Sequence, residues 1–460
     1  MIFKWAKKTQ LFCFLIGLVC ALPFIILTPP FQVTDEPQHF YRAFQISELN
    51  VLPESTGKIA GGTLPSSLIE LSTLFLDTRE IHVYRKVVSR PWSFLEQGFA
   101  IPLAAEQREF IDFSGAAFYS PLPYIPQAAA IVIGRTLGLD ALQLVYLARL
   151  VNAVLAIYLV ALAVQRTPVF KAGFLVAGLL PMSLYLYASL SPDALVIGTA
   201  FLFTALSIEA YFNKRWTTPD LAIAIICGTI FCSIKTVYAP LLLISLAGFF
   251  HDASRSRALA TQLALIGIPL IVTATWLHSV SGMILPVWPG TNVGAQLEHV
   301  LRMPLMFVAA MLATLQLNFL HYYQSAIGKL GWMNLPLSPL IYSLPILAVG
   351  ISIFSIPRVD PLRSNRLVAW WACLAMGCVA LILLALYLYW SVVKAYLVDG
   401  VQGRYFIPML PLCGVVLAGM VARVDLRIDG ERALASVAGL AIVSALLTLH
   451  ILAGAYWHSA

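Results

Sequence analysis

The stretch that decides the fold is LFCFLIGLVCALPFIILT, residues 11–28, followed at once by PPFQVTDEPQHFYRAFQ, residues 29–45. The first part carries no charge and is long enough to cross a hydrocarbon core about 30 Å thick. The second part places two carboxylates, Asp35 and Glu36, beside the membrane surface. An adjacent acid pair there is costly unless it binds a cation or handles a proton, so it is the first candidate for a functional site.

The composition of the whole chain is that of a membrane protein. Hydrophobic residues make up 60% of its 460 residues, charged residues only 11%, and the mean hydropathy is +0.84. Apolar stretches recur along the chain, which predicts an all-α polytopic membrane protein with one membrane domain over 1–460. The seven cysteines lie in apolar stretches and indicate buried packing. The net charge of +7 comes from basic loops and does not indicate nucleic-acid binding.

Basic residues predict the orientation of the chain. Lys4, Lys7 and Lys8 precede the first span, which favours a cytoplasmic N-terminus. The later basic loops fall on the same side if 122–138 is an interfacial helix and 303–320 stays on, or re-enters from, the outer side. These loops contain Arg166/Lys171, Lys214/Arg215, Arg255/Arg257, Arg358/Arg363/Arg366 and Arg423/Arg427/Arg432.

About eleven transmembrane helices follow from this orientation, with the C-terminus outside. The predicted spans are about 11–28, 141–164, 170–190, 193–212, 218–234, 237–250, 258–279, 337–356, 367–393, 402–422 and 433–455. Residues 29–140 form a long first outer loop with interfacial helices, and 280–335 form a second outer or re-entrant region. We expect these two regions to pack together as a cap over the membrane domain.

The acid pair has a simple alternative, because acids near a helix N-terminus interact favourably with its dipole. Thr34 or Asp35 could therefore be only a cap. Two adjacent carboxylates face different directions, however, so one could act as a base while the other binds a metal, a phosphate or an arginine. His39 lies on the same helical face as Asp35 and could orient the carboxylate, contact a substrate hydroxyl or merely pack. Mg²⁺ or Mn²⁺ on Asp35 and Glu36 is compatible with this pattern but not required by it.

Three more charged residues fall on the outer side in this topology. Lys235 interrupts an apolar run and either reaches the interface or binds an anionic phosphate. Arg404 could fork onto a phosphate or carboxylate, with Gly403 letting a ligand approach the backbone, or it could pair with Asp399. Asp193 begins a span and is either a second functional acid or simply a residue that caps the N-terminus of that helix.

The motifs D-E-x-x-H-F-Y-R-A-x-Q, Y-x-P-L-P-Y, A-R-L-V-N, S-P-D-A-L, K-x-x-Y, G-K-L-G-W and Q-G-R-Y-F-x-P occur in this order between residues 35 and 408. A chain with them resembles a bacterial family of polytopic membrane proteins of formerly unknown function. That family is similar to the GT-C superfamily of polyprenyl-phosphate-sugar glycosyltransferases. Those enzymes begin their first outer loop with an acidic motif, and they carry a proline-led interfacial helix and an arginine early in the second span. Tyr119 to Gly138, followed by Arg149, looks like that arrangement.

The resemblance implies an inverting glycosyltransferase in the bacterial inner (plasma) membrane, with a periplasmic active site. The donor would be a sugar on polyprenyl (undecaprenyl) phosphate, and the acceptor a surface glycan, a lipid or a pilin-type protein. The resemblance implies that Asp35 or Glu36 is the general base or the acid that orients the acceptor, and that Asp193 matches a second acid of some members. His39 is added to the catalytic candidates from its place one turn after Asp35. Lys235, Arg404 and Tyr238 are the expected phosphate ligands on their chemistry more than on a shared motif, and Gln402 and Tyr405 are expected to support them.

Two rival functions have to be weighed against an enzyme: a transporter or flippase of lipid-linked sugars, and a non-catalytic partner in glycan assembly. Transporters tend to show charges at the membrane midplane, broken helices and paired repeats. Here charges within the predicted spans are few, no internal repeat is visible, and the polar clusters lie on one side. The pattern therefore favours an enzyme at the outer surface.

Overall fold

The computed structural model describes residues 2–76, 91–251, 255–283, 289–355, 364–421 and 428–457. Over these ranges the chain is mostly helical, and seven helices are long and apolar enough to cross a membrane. The seven are Lys8–Leu27, Ala141–Arg166, Asp193–Asn213, Arg255–Ser279, Asn365–Tyr389, Gly403–Val421 and Gly430–Tyr456. The protein is therefore an all-α polytopic membrane protein. Arg358, Arg363, Arg423 and Arg427, which helped to set the expected orientation, lie outside the described residues.

Twenty α-helices account for most of the described chain. They are α1 Ile2–Leu27, α2 Glu36–Ser47, α3 Ser67–Phe75, α4 Pro91–Phe99, α5 Ser114–Ala117, α6 Ile125–Thr136, α7 Ala141–Arg166, α8 Lys171–Gly178, α9 Pro181–Tyr187, α10 Asp193–Asn213, α11 Thr218–Ile234, α12 Arg255–Gln262, α13 Ile268–Ser279, α14 Val293–Arg302, α15 Pro304–Leu317, α16 Phe319–Gly328, α17 Pro339–Phe354, α18 Asn365–Tyr389, α19 Leu410–Val421 and α20 Gly430–Tyr456.

Shorter elements connect these helices. The 3₁₀ helices are Leu122–Tyr124, Thr236–His251, Ser281–Met283 and Gly403–Met409, and a π-helical turn, Leu263–Gly267, joins α12 to α13. Strands β1 Glu54–Ser55, β2 Ala60–Pro65 and β3 Arg108–Asp112 form an antiparallel sheet in that order. Strands β4 Lys329–Leu330 and β5 Leu335–Pro336 form a two-stranded hairpin.

Seven of the eleven predicted spans coincide with the seven long helices, and the other four are shorter or interrupted. The stretch 170–190 is divided into α8 and α9 just before Pro181, because proline has no N–H to continue the helix. The apolar stretch Thr236–Gly248 is wound as a 3₁₀ helix. At about 2.0 Å per residue it reaches about 26 Å, close to the thickness of the hydrocarbon core. The structure thus shows seven candidate spans and leaves the count of eleven open.

The two segments excluded from the predicted spans are not straight spanning helices. Helix α6 has 12 residues and is about 18 Å long, too short to cross a bilayer. Ile125, Val132 and Ile133 form an exposed apolar stripe along it, while its other side packs on α2 and α7. Helices α14 and α15 meet at a bend of 105°, which fits either a broken span or a re-entrant loop.

The described part of residues 29–140, hereafter the cap, has its own hydrophobic core. Phe40 and Phe44 of α2, with Phe113 and Tyr124, pack onto the first turns of α7. Every residue of α2 except Gln38 is buried, and Pro37 in its first turn suits a helix start. The cap is therefore joined to the membrane domain through the helix that follows the acid pair.

A buried ion pair fixes the start of α2. Glu36 and Arg149 are both fully inaccessible, and Arg149 binds the carboxylate through two nitrogens, Nε to Oε1 at 2.8 Å and Nη2 to Oε2 at 2.6 Å. The backbone N–H groups of Phe31 and Leu190 donate to the same carboxylate. Arg149 also donates to three carbonyl groups at the end of α1, those of Ile25, Thr28 and Pro29. One ion pair thus joins α1, α2, α7 and the segment before α10.

Replacing Glu36 by glutamine should destabilise the protein by about 3–5 kcal/mol, because it leaves the charge of Arg149 buried and unpaired. The measurement is the thermal midpoint of the purified protein in detergent, taken as the temperature at which half of the monodisperse peak is lost. Asp35→Asn is the matched control, since the carboxylate of Asp35 is 47% exposed, and it should retain the wild-type midpoint. Equal midpoints for the two variants would contradict the structural role of Glu36.

Candidate functional site

Four charged side chains from distant parts of the sequence meet where the cap contacts the membrane domain. Asp35 precedes α2, Asp193 is the first residue of α10, Lys235 follows α11, and Arg404 lies in the 3₁₀ helix Gly403–Met409. Arg404 links the two acids, with Nη2 at 3.4 Å from Asp35 Oδ2 and Nε at 4.0 Å from Asp193 Oδ2. Lys235 forms an ion pair with Asp193. We call these four residues the charged cluster.

Asp35 is the accessible carboxylate of the charged cluster. Its side chain is 47% exposed, whereas those of Asp193, Lys235 and Arg404 are between 8% and 15% exposed. Asp35 occupies the N-cap position of α2 with φ 65°, in the left-handed region, but its side chain makes no capping hydrogen bond. The simple interpretation of this residue as a side-chain cap is therefore not what the structure shows.

Glu36 points away from the charged cluster. Arg149 and two backbone N–H groups use both of its oxygens, as described above. Of the partners that the sequence left open for the second acid, namely a metal, a phosphate or an arginine, the structure shows the arginine. The two adjacent acids thus have different surroundings.

His39 sits behind Asp35 as a neutral, buried side chain. Its Nδ1 is 2.9 Å from the hydroxyl of Tyr124, and its ring stacks on Tyr119 at 6.1 Å. Burial lowers the pKa of His39 to about 4, although the nearby carboxylates of Asp35 and Asp193 oppose this shift. His39 is therefore uncharged near neutral pH and positions the first turn of α2 beside the cap tyrosines.

The remaining predicted residues surround the two cations. The ring of Tyr405 lies 4.6 Å from Lys235 Nζ and 5.6 Å from the guanidinium of Arg404. The hydroxyl of Tyr238 donates to the Tyr405 carbonyl at 2.8 Å, so Tyr238 supports the segment that carries Arg404. The side-chain oxygen of Gln402 is buried with no hydrogen-bond partner. Arg404 pairs with Asp35 and Asp193, and not with Asp399.

Gly403 permits a close approach by the protein itself. Ser325 of α16 accepts the Gly403 N–H at 2.8 Å. A Cβ on this glycine would lie 2.0 Å from the Tyr322 carbonyl oxygen and 2.3 Å from the Ala326 nitrogen. The sequence had indicated a ligand beside this glycine, and the structure shows the backbone of α16 there instead. Helix α16 therefore fixes the position of Arg404.

The hairpin of β4 and β5 holds the loop before Asp35, a role that the sequence did not reveal. Thr34 Oγ1 donates to the carbonyl of Gly331 at 3.3 Å. The indole of Trp332 donates to the carbonyl of Phe31 at 3.2 Å. Tyr185 accepts the N–H of Gly331 and donates to the carbonyl of Gln32. The G-K-L-G-W motif thus serves to position the acidic loop.

The structure places Asp35, Glu36 and Asp193 against cationic partners and not around a shared metal position. Among the residues that the structure describes, no group of three or more His, Cys, Asp or Glu side chains could hold one. Asp35 and Glu36 face different partners, and Asp193 is already paired with Lys235. The protein therefore offers Mg²⁺ or Mn²⁺ the carboxylate of Asp35, and the remaining oxygen ligands would come from water or a substrate phosphate.

These features define a polytopic helical membrane protein with a charged site where a cap meets the membrane domain. Residues 17–413 match the family described as "Predicted membrane protein (DUF2142)". Since this range covers most of the 460 residues, the chain belongs to that family. No curated protein and no solved structure matches the chain.

The stability of the protein should fall at acidic pH partly through His39. An unfolded histidine titrates near pH 6.5, whereas the folded one has a pKa of about 4. Between these values the unfolded state binds more protons, so this contribution is complete above about pH 6.5 and is lost as the pH falls towards 4. Thermal midpoints between pH 7.5 and 5 should decline less for His39→Gln than for wild type. An identical decline would contradict a buried neutral His39.

Replacing Gly403 by alanine should destabilise the protein by about 1–3 kcal/mol, because its Cβ would overlap backbone atoms of α16. The thermal midpoint in detergent checks this. Gly439→Ala on α20 is the matched control, since a Cβ there meets nothing within 4 Å and alanine favours the helix. If both variants have the wild-type midpoint, the contact of α16 with Gly403 does not fix the loop.

Proposed function

We propose that this protein is a membrane glycosyltransferase of the GT-C type, which transfers a sugar from a polyprenyl phosphate to an acceptor hydroxyl. The acceptor classes are a surface glycan, a lipid or a pilin-type protein. One observation carries the proposal: a half-exposed carboxylate, Asp35, stands beside two largely buried cations, Lys235 and Arg404. This combination can accept a proton from an acceptor and receive a phosphate leaving group at the same place.

In the proposed reaction Asp35 takes the proton of the acceptor hydroxyl as the oxygen attacks the anomeric carbon. The bond between that carbon and the phosphate oxygen breaks, and the electron pair leaves with the polyprenyl phosphate. Lys235 and Arg404 stabilise the negative charge that develops on the leaving phosphate. Attack opposite the leaving group inverts the anomeric configuration.

The assignment of the base to Asp35 follows from the surroundings of the two acids. A general base must reach a substrate proton, and the carboxylate of Glu36 is fully buried and used by Arg149. Asp193 is 11% exposed and neutralises Lys235. We therefore assign Asp35 to proton transfer, Glu36 and His39 to positioning, and Asp193 to holding the lysine in place.

The proposed location is the bacterial inner membrane, with the cap and the charged cluster in the periplasm. Eleven crossings would place the basic ends of the helices in the cytoplasm, following the excess of lysine and arginine on that side. A polyprenyl-linked sugar presented at the outer surface of this membrane would reach the charged cluster from the lipid. The four charged residues lie at or next to helix ends, the positions that such a substrate meets first.

The competing functions are a flippase for lipid-linked sugars and a non-catalytic partner in glycan assembly. A flippase requires polar groups that lead across the membrane, whereas the charged cluster lies on the cap side only. Incubation of purified protein with polyprenyl-phosphate sugars separates the candidates. Transfer or hydrolysis favours the enzyme, movement of lipid across proteoliposomes favours the flippase, and binding alone favours the partner.

Asp35→Asn should abolish sugar transfer while the protein stays folded. Asparagine tolerates the left-handed backbone at this position, so the substitution removes the charge with little strain. We expect turnover to fall at least about a hundredfold, which is the lower end of the rate enhancement that a general base typically contributes. Release of polyprenyl phosphate from a synthetic donor is the measurement.

Glu70→Gln is the matched control for this experiment, because Glu70 is an exposed acid of the cap on α3, away from the charged cluster. It should leave turnover unchanged. Full activity of Asp35→Asn would remove Asp35 from the proposed reaction.

A further inference from the structure

Arg404 is a buried cation with incomplete hydrogen bonding. Its side chain is only 8% exposed, and its Nε has no hydrogen-bond partner. Its two carboxylate neighbours are long contacts, 3.4 Å to Asp35 and 4.0 Å to Asp193. Good charge-assisted hydrogen bonds to a guanidinium are about 2.7–2.9 Å. Arg404 therefore retains an unused donor, its Nε, and a weakly held Nη2 for a further anionic ligand.

The carboxylate of Asp35 stands on the accessible side of this guanidinium. Asp193 is held by Lys235, and Asp35 is the more exposed of the two partners of Arg404, 47% against 11%. A phosphate that binds Arg404 from the accessible side meets the negative charge of Asp35 there. Like charges at such a distance repel, so a phosphate on this guanidinium and the carboxylate of Asp35 weaken each other's contact with Arg404.

The charges of the cluster sum to zero before a ligand binds. Two carboxylates face two cations, and His39 nearby is neutral because burial keeps its pKa at about 4. An added phosphate makes the total negative, and of the two acids only Asp35 is exposed enough to move towards solvent. Binding of the phosphate therefore works against the contact between Asp35 and Arg404.

We propose that the carboxylate of Asp35 and a phosphate ligand compete for Arg404, so that phosphate binding releases Asp35 from its ion pair. The inference rests on the proposed function in one respect: that function supplies the phosphate, as part of a lipid-linked donor. Its consequence is a coupling between donor and base. Asp35 is held by Arg404 until the donor phosphate takes that cation, and only then is its carboxylate free to accept the proton of an acceptor.

The coupling is reciprocal, because two ligands that compete for one group weaken each other equally. Removing the charge of Asp35 should therefore tighten phosphate binding, although the same variant is inactive in transfer. We expect about fivefold tighter binding of farnesyl phosphate by Asp35→Asn, the lower end of typical coupling between sites. Microscale thermophoresis of the full chain in detergent measures this, with farnesol as the uncharged control and inorganic phosphate as the second probe.

A double-mutant cycle tests whether the effect passes through Arg404. The tightening should disappear when Asp35→Asn is combined with Arg404→Gln. Asp35→Gly is a second variant without the charge and suits the positive φ, so it should tighten binding as Asp35→Asn does. Thermal midpoints confirm that each variant is folded.

Tighter binding of either phosphate probe by Asp35→Asn supports the competition. An effect with farnesyl phosphate alone identifies a lipid-linked source, and an effect with both probes identifies the phosphate group itself as sufficient. Unchanged or weaker binding by Asp35→Asn and Asp35→Gly overturns the inference. That result would leave the proposed transfer reaction standing, since the loss of turnover in Asp35→Asn is measured separately.

Discussion

The buried ion pair between Glu36 and Arg149 is the constraint on which the rest of the structure depends. It joins the end of α1, the start of α2 and the interior of α7, and it satisfies backbone groups on both sides. Burying two charges is expensive, and this geometry offsets the cost with several hydrogen bonds to each partner. Since Glu36 is held so firmly, the backbone of the preceding residue, Asp35, has a fixed position in the charged cluster.

Adjacent residues in a left-handed turn can face different surroundings, and this gives the two acids separate roles. Glu36 faces the protein interior, while Asp35 faces Arg404 and solvent. The hairpin of β4 and β5 and the side chain of His39 hold the Asp35 side of the charged cluster, and helix α16 holds the Arg404 side. Rigid surroundings with one accessible carboxylate are what a reaction that depends on positioning requires.

The sequence predicted the class of protein, seven of the helices, and the group of residues that meets in the charged cluster. Apolar length and outer-side polar clusters carry that information directly. It could not decide between Asp35 and Glu36, because the choice depends on a contact with Arg149, 113 residues away. The sequence also led us to expect a ligand beside Gly403. In sequence, a glycine that a helix backbone approaches cannot be distinguished from one that a ligand approaches. The number of spans was also hard to predict. The apolar length of a stretch does not show that it is divided, as between α8 and α9, or that it is wound as a 3₁₀ helix, as in Thr236–His251.

The most direct test of the proposed transfer reaction is a cryo-electron microscopy structure of the full chain with a non-hydrolysable polyprenyl-phosphate sugar analogue bound. We expect the phosphate to contact Arg404 and Lys235, Asp35 to have left Arg404 and to face the anomeric carbon, and Glu36 to remain on Arg149. A phosphate bound away from these cations, or a carboxylate of Asp35 still paired with Arg404 in the presence of the ligand, would contradict the proposed roles of these residues.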